Sequence, residues 1–222
     1  MSISREGHAF LVWATFAAAA WASGCGHQSG RVGGGGAGGA GAGSTAANTS
    51  PGILPPPDAI PGTFAVRQKI VARSAHGSGS FEAVLQKEPG KLTLLGFTPY
   101  GGRAFLLEQS AAGGVKLTSF IPRELPFSPD FILMDIHRVL DAWLGPPPTT
   151  DGERSGAVRD EVVRERWAGG RLTSRSFASA NNPAQVITTV TYEGAAPAGV
   201  PAKVSIANAR FGYDLTIVTL AM

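Results

Sequence analysis

Few side chains in this sequence are of types that do chemistry, and their spacing limits what they can do. The one cysteine, Cys25, follows Ala20-Trp21-Ala22-Ser23-Gly24 at the end of a strongly apolar stretch. A lone thiol cannot close an internal disulfide, and left free in an oxidising compartment it would be a liability. Acylation removes that liability, so the chemistry expected of Cys25 is the carrying of lipid. The histidines offer no comparable site: His8 lies near the start, His27 in a polar and glycine-rich tract, and His76 and His137 stand isolated. No close-spaced ligand set, nucleophile elbow or phosphate-binding glycine loop is recognisable, so no metal, cofactor or catalytic residue is expected. Asp160, Glu161 and Glu165 are interspersed with Arg159, Arg164 and Arg166, which reads as the solvated side of a strand rather than a catalytic carboxylate pair.

The segment before Cys25 has the physical character of an export signal. Arg5 and His8 make a weakly polar start, and Ala9 to Ala22 form an apolar core too short to span a bilayer comfortably. The run Ala22-Ser23-Gly24-Cys25 resembles the lipobox of bacterial lipoproteins, in which small residues precede the acylated cysteine. That resemblance makes residues 1–24 a signal peptide and Cys25 the first residue of a mature chain anchored in the membrane. Each buried methylene of an acyl chain contributes about 0.8 kcal/mol, so several chains would attach it durably. Gly26, rather than aspartate, follows the cysteine, and in that family this implies the outer membrane, with the protein facing the periplasm.

Residues 25–62 read as a tether. Gly33 to Gly43 are wholly glycine and alanine, with little side-chain surface to bury and a high ordering cost, and Pro51, Pro55, Pro56, Pro57 and Pro61 stiffen the approach to the folded part. Residues 63–222 are ample for one core, and nothing demands a second domain. The formal charge is +3, with basic groups scattered along the chain, so no nucleic-acid groove is indicated.

The elements that must position any site are mostly strands. Phe64, Val66, Ile70 and Ala72 alternate with wetter positions, and Phe81, Ala83 and Leu85 repeat the pattern before Gly90 and the run Leu92 to Leu95. Ala104 to Glu108 and Val115 to Phe120 read as the next strands. Further strands are expected over 161–167, 171–177, 185–192, 202–207 and 213–220, with Gly169-Gly170 as a hairpin turn. Between the two sets, Ser128, Pro129 and Asp130 open a helix in which Ile132, Leu133, Ile136, Val139, Leu140 and Trp143 recur at helical spacing; Gly145 and Pro146 to Pro148 stop it. The expectation is a mainly β protein of about ten strands with a central helix. Its strongly curved antiparallel sheet would either pack solid or leave an apolar hollow, with the helix over 128–144 as the lid that gates it.

On Phe81 to Leu85, Leu92 to Gly101, Leu125-Pro126-Phe127, Phe131 to Ile136 and Phe211 to Ile217, the chain resembles the DUF3261 family of bacterial lipoproteins and, more distantly, the LolB/LolA lipoprotein carriers. The carrier resemblance implies an incomplete barrel whose apolar cavity accepts acyl chains. It would put Phe131, Leu133, Ile136, Leu140 and Trp143 on the helix side of that cavity and Phe105, Leu107, Leu117 and Ile187 on the sheet side. The same residues equally suit an ordinary packed core. Pro99-Tyr100-Gly101 resembles a protruding carrier loop that has leucine where Tyr100 stands, which implies a membrane-facing role for Tyr100; the alternative is a turn residue half-packed on the sheet. The function implied is binding or transfer of a lipid or lipoprotein cargo in the cell envelope, without enzymatic activity. The alternative is a structural or assembly lipoprotein with a fully packed interior.

Overall fold

A computed structural model of the chain describes residues 53–75, 77–112, 114–122, 128–196 and 199–220. Cys25, the expected signal and the Gly/Ala tract lie outside the described residues. The described residues form one sheet of eleven antiparallel strands with a single α-helix: β1 (Phe64–Ser74), β2 (Gly77–Glu88), β3 (Lys91–Phe97), β4 (Arg103–Ser110), β5 (Val115–Ser119), α1 (Pro129–Leu140), β6 (Gly152–Val158), β7 (Glu161–Ala168), β8 (Arg171–Ser179), β9 (Asn182–Ala195), β10 (Pro201–Asn208) and β11 (Tyr213–Leu220).

The order across the sheet is β5-β4-β3-β2-β1-β11-β10-β9-β8-β7-β6. First and last strands pair at the centre, and consecutive strands pair as hairpins on either side, which keeps most connections short. The exception is the connection from β5 to β6. These are the two edges of the sheet, so the chain leaves one edge, forms α1, and rejoins the sheet at the other.

Because side chains alternate faces along a strand, the register defines one inner row after another. Val66, Leu85, Leu94, Leu107 and Leu117 are successive cross-strand partners from β1 to β5. On the other half, Ile217, Val204 and Tyr192 continue one row, and Leu215, Ile206, Val190 and Arg175 another. The buried apolar residues form two clusters. One gathers Phe64, Val66, Leu85, Leu94, Phe105, Leu107 and Leu133 around β1 to β4, and the other gathers Met134, Val139, Trp143, Val163, Phe177, Val190 and Ile206 around β7 to β10. Helix α1 contributes to both.

Several expectations need correction. The helix ends at Leu140, because Asp141 takes an extended conformation (φ −65°, ψ 151°). Trp143 therefore reaches the core from an irregular segment. Ser128 stands at the N-cap position, but its side chain makes no capping hydrogen bond; Pro129 opens the helix as its fixed φ favours. Among the described residues there are eleven strands rather than ten, the addition being β6, whose inner positions are Arg154 and Gly156 instead of an apolar alternation. The folded part also reaches back into the expected tether. Ile60 is buried, Leu54 packs against both clusters, and the short 3-10 turn Pro57–Ala59 is fixed by Asp58, whose carboxylate accepts from Lys87 and the Gly90 backbone.

Candidate functional site

Helix α1 lies across the inner face, and its two flanks meet the sheet differently. Toward β7, β8, β9 and β11 it is held by polar side chains. The Tyr213 hydroxyl donates to Asp135 Oδ2 at 2.5 Å, and Arg138 donates to Glu161 at 2.6 Å. The helix end has no glycine cap, so its last carbonyls are satisfied from outside the helix. Trp143 donates its indole N–H to the His137 carbonyl, Arg175 donates to the Arg138 carbonyl, and the Tyr192 hydroxyl donates to that of Val139. A guanidinium there also complements the negative end of the helix dipole.

The charge that makes this possible is buried with its partner. Glu165, expected on a solvated face, is nearly inaccessible and accepts from both Arg175 and Arg154. Its position in phase with Val163, on the inner face, was the available signal. His137 is likewise fully buried, with Nδ1 2.8 Å from Asp141 Oδ1 and Nε2 2.8 Å from Gln109 Oε1. The Gln109 amide is oriented by donating to the Pro55 carbonyl, so its oxygen faces the ring. Both ring nitrogens are thus engaged, Nδ1 by Asp141 and Nε2 by Gln109. Burial raises the carboxyl of Asp141 above its ordinary range, against the lowering pull of His137. These groups are fully engaged with one another, which makes them structural. Among the described residues no group of three or more His, Cys, Asp or Glu is placed to hold a metal.

The flank toward β5 is different. Ile132 and Ile136, four residues apart and so on one side of the helix, are only partly buried, as is Val115 of β5. The row from Val66 through Leu85, Leu94 and Leu107 is 3%, 2%, 2% and 0% exposed, and it ends at Leu117 of the edge strand, which is 37% exposed. The inner apolar row thus ends at a solvent-exposed leucine on the edge strand β5, beside which α1 packs. Within the cluster beside that row, the Phe105 ring lies across Gly96, where an added Cβ would come within 2.2 Å of it, and it meets Phe81 edge-on.

The structure divides the sequence-expected cavity residues accordingly. Phe105, Leu107 and Leu133 are buried in the cluster beside β5, with Ile136 packed against it and Leu117 at its exposed margin. Trp143 and Ile187 belong to the other cluster, where Trp143 meets Phe177 edge-on. Leu140 touches both clusters, and Phe131, half-buried, packs on Phe211 at the start of the helix. Tyr100 is 96% exposed, on a turn whose Thr98 exchanges backbone hydrogen bonds with Gly101 and Gly102.

No curated protein matches the chain. Among solved structures, a domain from Vibrio parahaemolyticus described as an outer membrane lipoprotein-sorting protein is 10% identical, with 72% of this chain and 84% of that chain covered and a TM-score of 0.38. A DUF1329 family protein from Desulfovibrio piger is 9% identical, with 70% and 82% covered and a TM-score of 0.36. The family described as protein of unknown function DUF3261 matches residues 65–221, which span every strand of the sheet and α1, and this chain belongs to it.

Proposed function

We propose that this protein is an envelope lipoprotein, acylated at Cys25 and held at the outer membrane facing the periplasm, that binds or transfers a lipid or another acylated hydrophobic molecule. The observation that carries this reading is the inner apolar row that runs from the core to the exposed Leu117 beside α1. An acyl chain laid along that row would replace water on Leu117, Val115, Ile132 and Ile136, and burying such surface contributes about 25 cal/mol per Å². The remaining candidates, Phe105, Leu107, Leu133, Leu140 and Phe131, would then wall the seam or support it, while Trp143 and Ile187 would serve the closed flank.

The unclosed sheet is the frame of an incomplete barrel in this reading. Helix α1 acts as a fixed wall, because lifting it would strand Arg175, Glu161, Tyr192 and Tyr213 away from their buried partners. Cargo would exchange at the β5 side, and Tyr100, carried on its turn, would be the residue that touches the membrane.

A second reading, an assembly lipoprotein with a solid interior, is favoured by the near-zero exposure of Phe105, Leu107 and Leu133. Native mass spectrometry and organic extraction of the purified chain separate the two. A stoichiometric acyl-containing molecule supports the carrier, and a chain that is ligand-free and rejects labelled lipids supports the packed module.

A further inference from the structure

Three buried polar atoms beneath α1 have no hydrogen-bond partner among the described residues: Asp135 Oδ1, Arg138 Nε and Thr188 Oγ1. Their residues are 6%, 2% and 1% exposed. Unpaired buried polar atoms are rare in folded proteins because each costs the desolvation of its group. Sheet register and the contacts of their neighbours set the three on one part of the inner face. Asp135 and Arg138, three residues apart on α1, share a side of the helix, with Arg138 Nη1 3.9 Å from Asp135 Oδ1. Thr188 on β9 is the cross-strand partner of both Phe177 and Asn208. The Arg138 guanidinium sits over the Phe177 ring, and Asp135 is joined to Asn208 through the Tyr213 hydroxyl. Thr188 therefore lies between the two sheet positions that this pair of helix residues covers.

We propose that Asp135, Arg138 and Thr188 form a buried site for one neutral hydroxyl-type group, which accepts from Arg138 Nε–H, donates to Asp135 Oδ1 and bonds Thr188 Oγ1. The chemistry of the surroundings selects that class. An anion would join the Asp135 and Glu161 carboxylates around the single guanidinium of Arg138, and an apolar group would leave all three atoms unsatisfied. A water molecule and the hydroxyl of a bound organic molecule both fit, since each donates and accepts at one oxygen. The site stands on a different flank of α1 from the β5 seam and does not depend on the lipid-carrier reading.

The test is urea unfolding of the full chain. If Thr188 bonds a held group, Thr188→Val, which keeps the shape and removes the hydroxyl, lowers the folding constant about tenfold, and Thr188→Ser, which keeps the hydroxyl, lowers it less. Asp135 and Thr188 are not bonded to each other, yet the cycle of Asp135→Asn with Thr188→Val is expected to show coupling of about threefold or more through the bridging group. Repeating the cycle after organic extraction and refolding identifies the source: coupling that persists indicates water, and coupling that vanishes indicates the hydroxyl of an extracted molecule. Thr188→Val more stable than the parent, Thr188→Ser costing as much as Thr188→Val, or an additive cycle in the untreated chain overturns the proposal. Should Asp135→Asn fail to fold, the comparison of the two Thr188 variants decides alone.

Discussion

His137 and Arg138 are neighbours on α1, yet His137 bonds Gln109 on β4 while Arg138 bonds Glu161 on β7, strands that stand second and tenth in the order of eleven. Eight strand spacings amount to about 38 Å along a sheet. Two adjacent residues with their partners laid end to end are shorter than that, so the path along the sheet exceeds the chord that α1 spans. The helix acts as a polar strut that ties the two halves of the sheet together.

That strut predicts a large cost for breaking its buried charges. Glu165→Ala would leave Arg175 buried without its carboxylate and should destabilise the fold by about 3–5 kcal/mol. Glu82→Ala, which removes the exposed partner of Arg67 on the outer face, should cost about 1 kcal/mol or less. Urea denaturation of the two variants checks the contrast, and similar midpoints for both would contradict it.

At Gly96 the prediction concerns shape. With the Phe105 ring lying where a Cβ would go, Gly96→Ala should cost about 1–3 kcal/mol by forcing that ring aside. Adding Phe105→Leu should recover part of the loss, because the smaller side chain frees the space. Equal midpoints for Gly96→Ala and the parent would show that the close approach does not matter.

The pH dependence of stability follows from Asp135. Burial pushes its carboxyl up to about 6, against the lowering effects of the Tyr213 hydrogen bond and Arg138, while the unfolded chain has the ordinary value of 3.8. Between these values the folded state binds more protons, so the contribution of Asp135 to stability is greatest below 3.8 and falls as pH rises to about 6. Relative to Asp135→Asn, the parent should lose roughly 3 kcal/mol across that window. A difference between the two proteins that is flat, or that grows with pH, would refute this.

Leu117 is where stability and binding separate. A carboxylate at an exposed margin of an edge strand is tolerated, so Leu117→Glu should change stability by less than about 1 kcal/mol. It should nevertheless cut acyl-probe binding about tenfold or more, since it places a charge in the path of an apolar chain. Parallel measurement of the unfolding midpoint and of probe binding checks both halves.

Much of the sheet was legible because period two persists along Phe64 to Ala72, Phe81 to Leu85 and Tyr213 to Leu220, where apolar residues mark the buried face. Strand β6 was not, because its inner face is made of Arg154, which bonds Glu165, and Gly156, above which Leu144 takes the side-chain space. The helix was read too long because Trp143 falls at helical spacing after Leu140, yet an extended Asp141 delivers it to the same core. The polar strut was missed for one reason throughout. Asp135, His137, Arg138, Glu165 and Arg175 occupy positions in phase with the core, and a charged residue there reads as an interruption until its partner from a distant strand is known. The seam residues were legible as apolar, but only the cross-strand register sets Leu117 at the end of a buried row.

The central claim, that an acyl chain lies between α1 and β5, is tested most directly by photolabelling. An acyl probe bearing a diazirine near its middle is bound to the full chain, irradiated, and the labelled residues are mapped by mass spectrometry. The account predicts labels on Val115, Leu117, Ile132 and Ile136, suppressed by unlabelled lipid and by Leu117→Glu. Saturable labelling confined to the outer face of the sheet, or no labelling above that of an unfolded control, would contradict it.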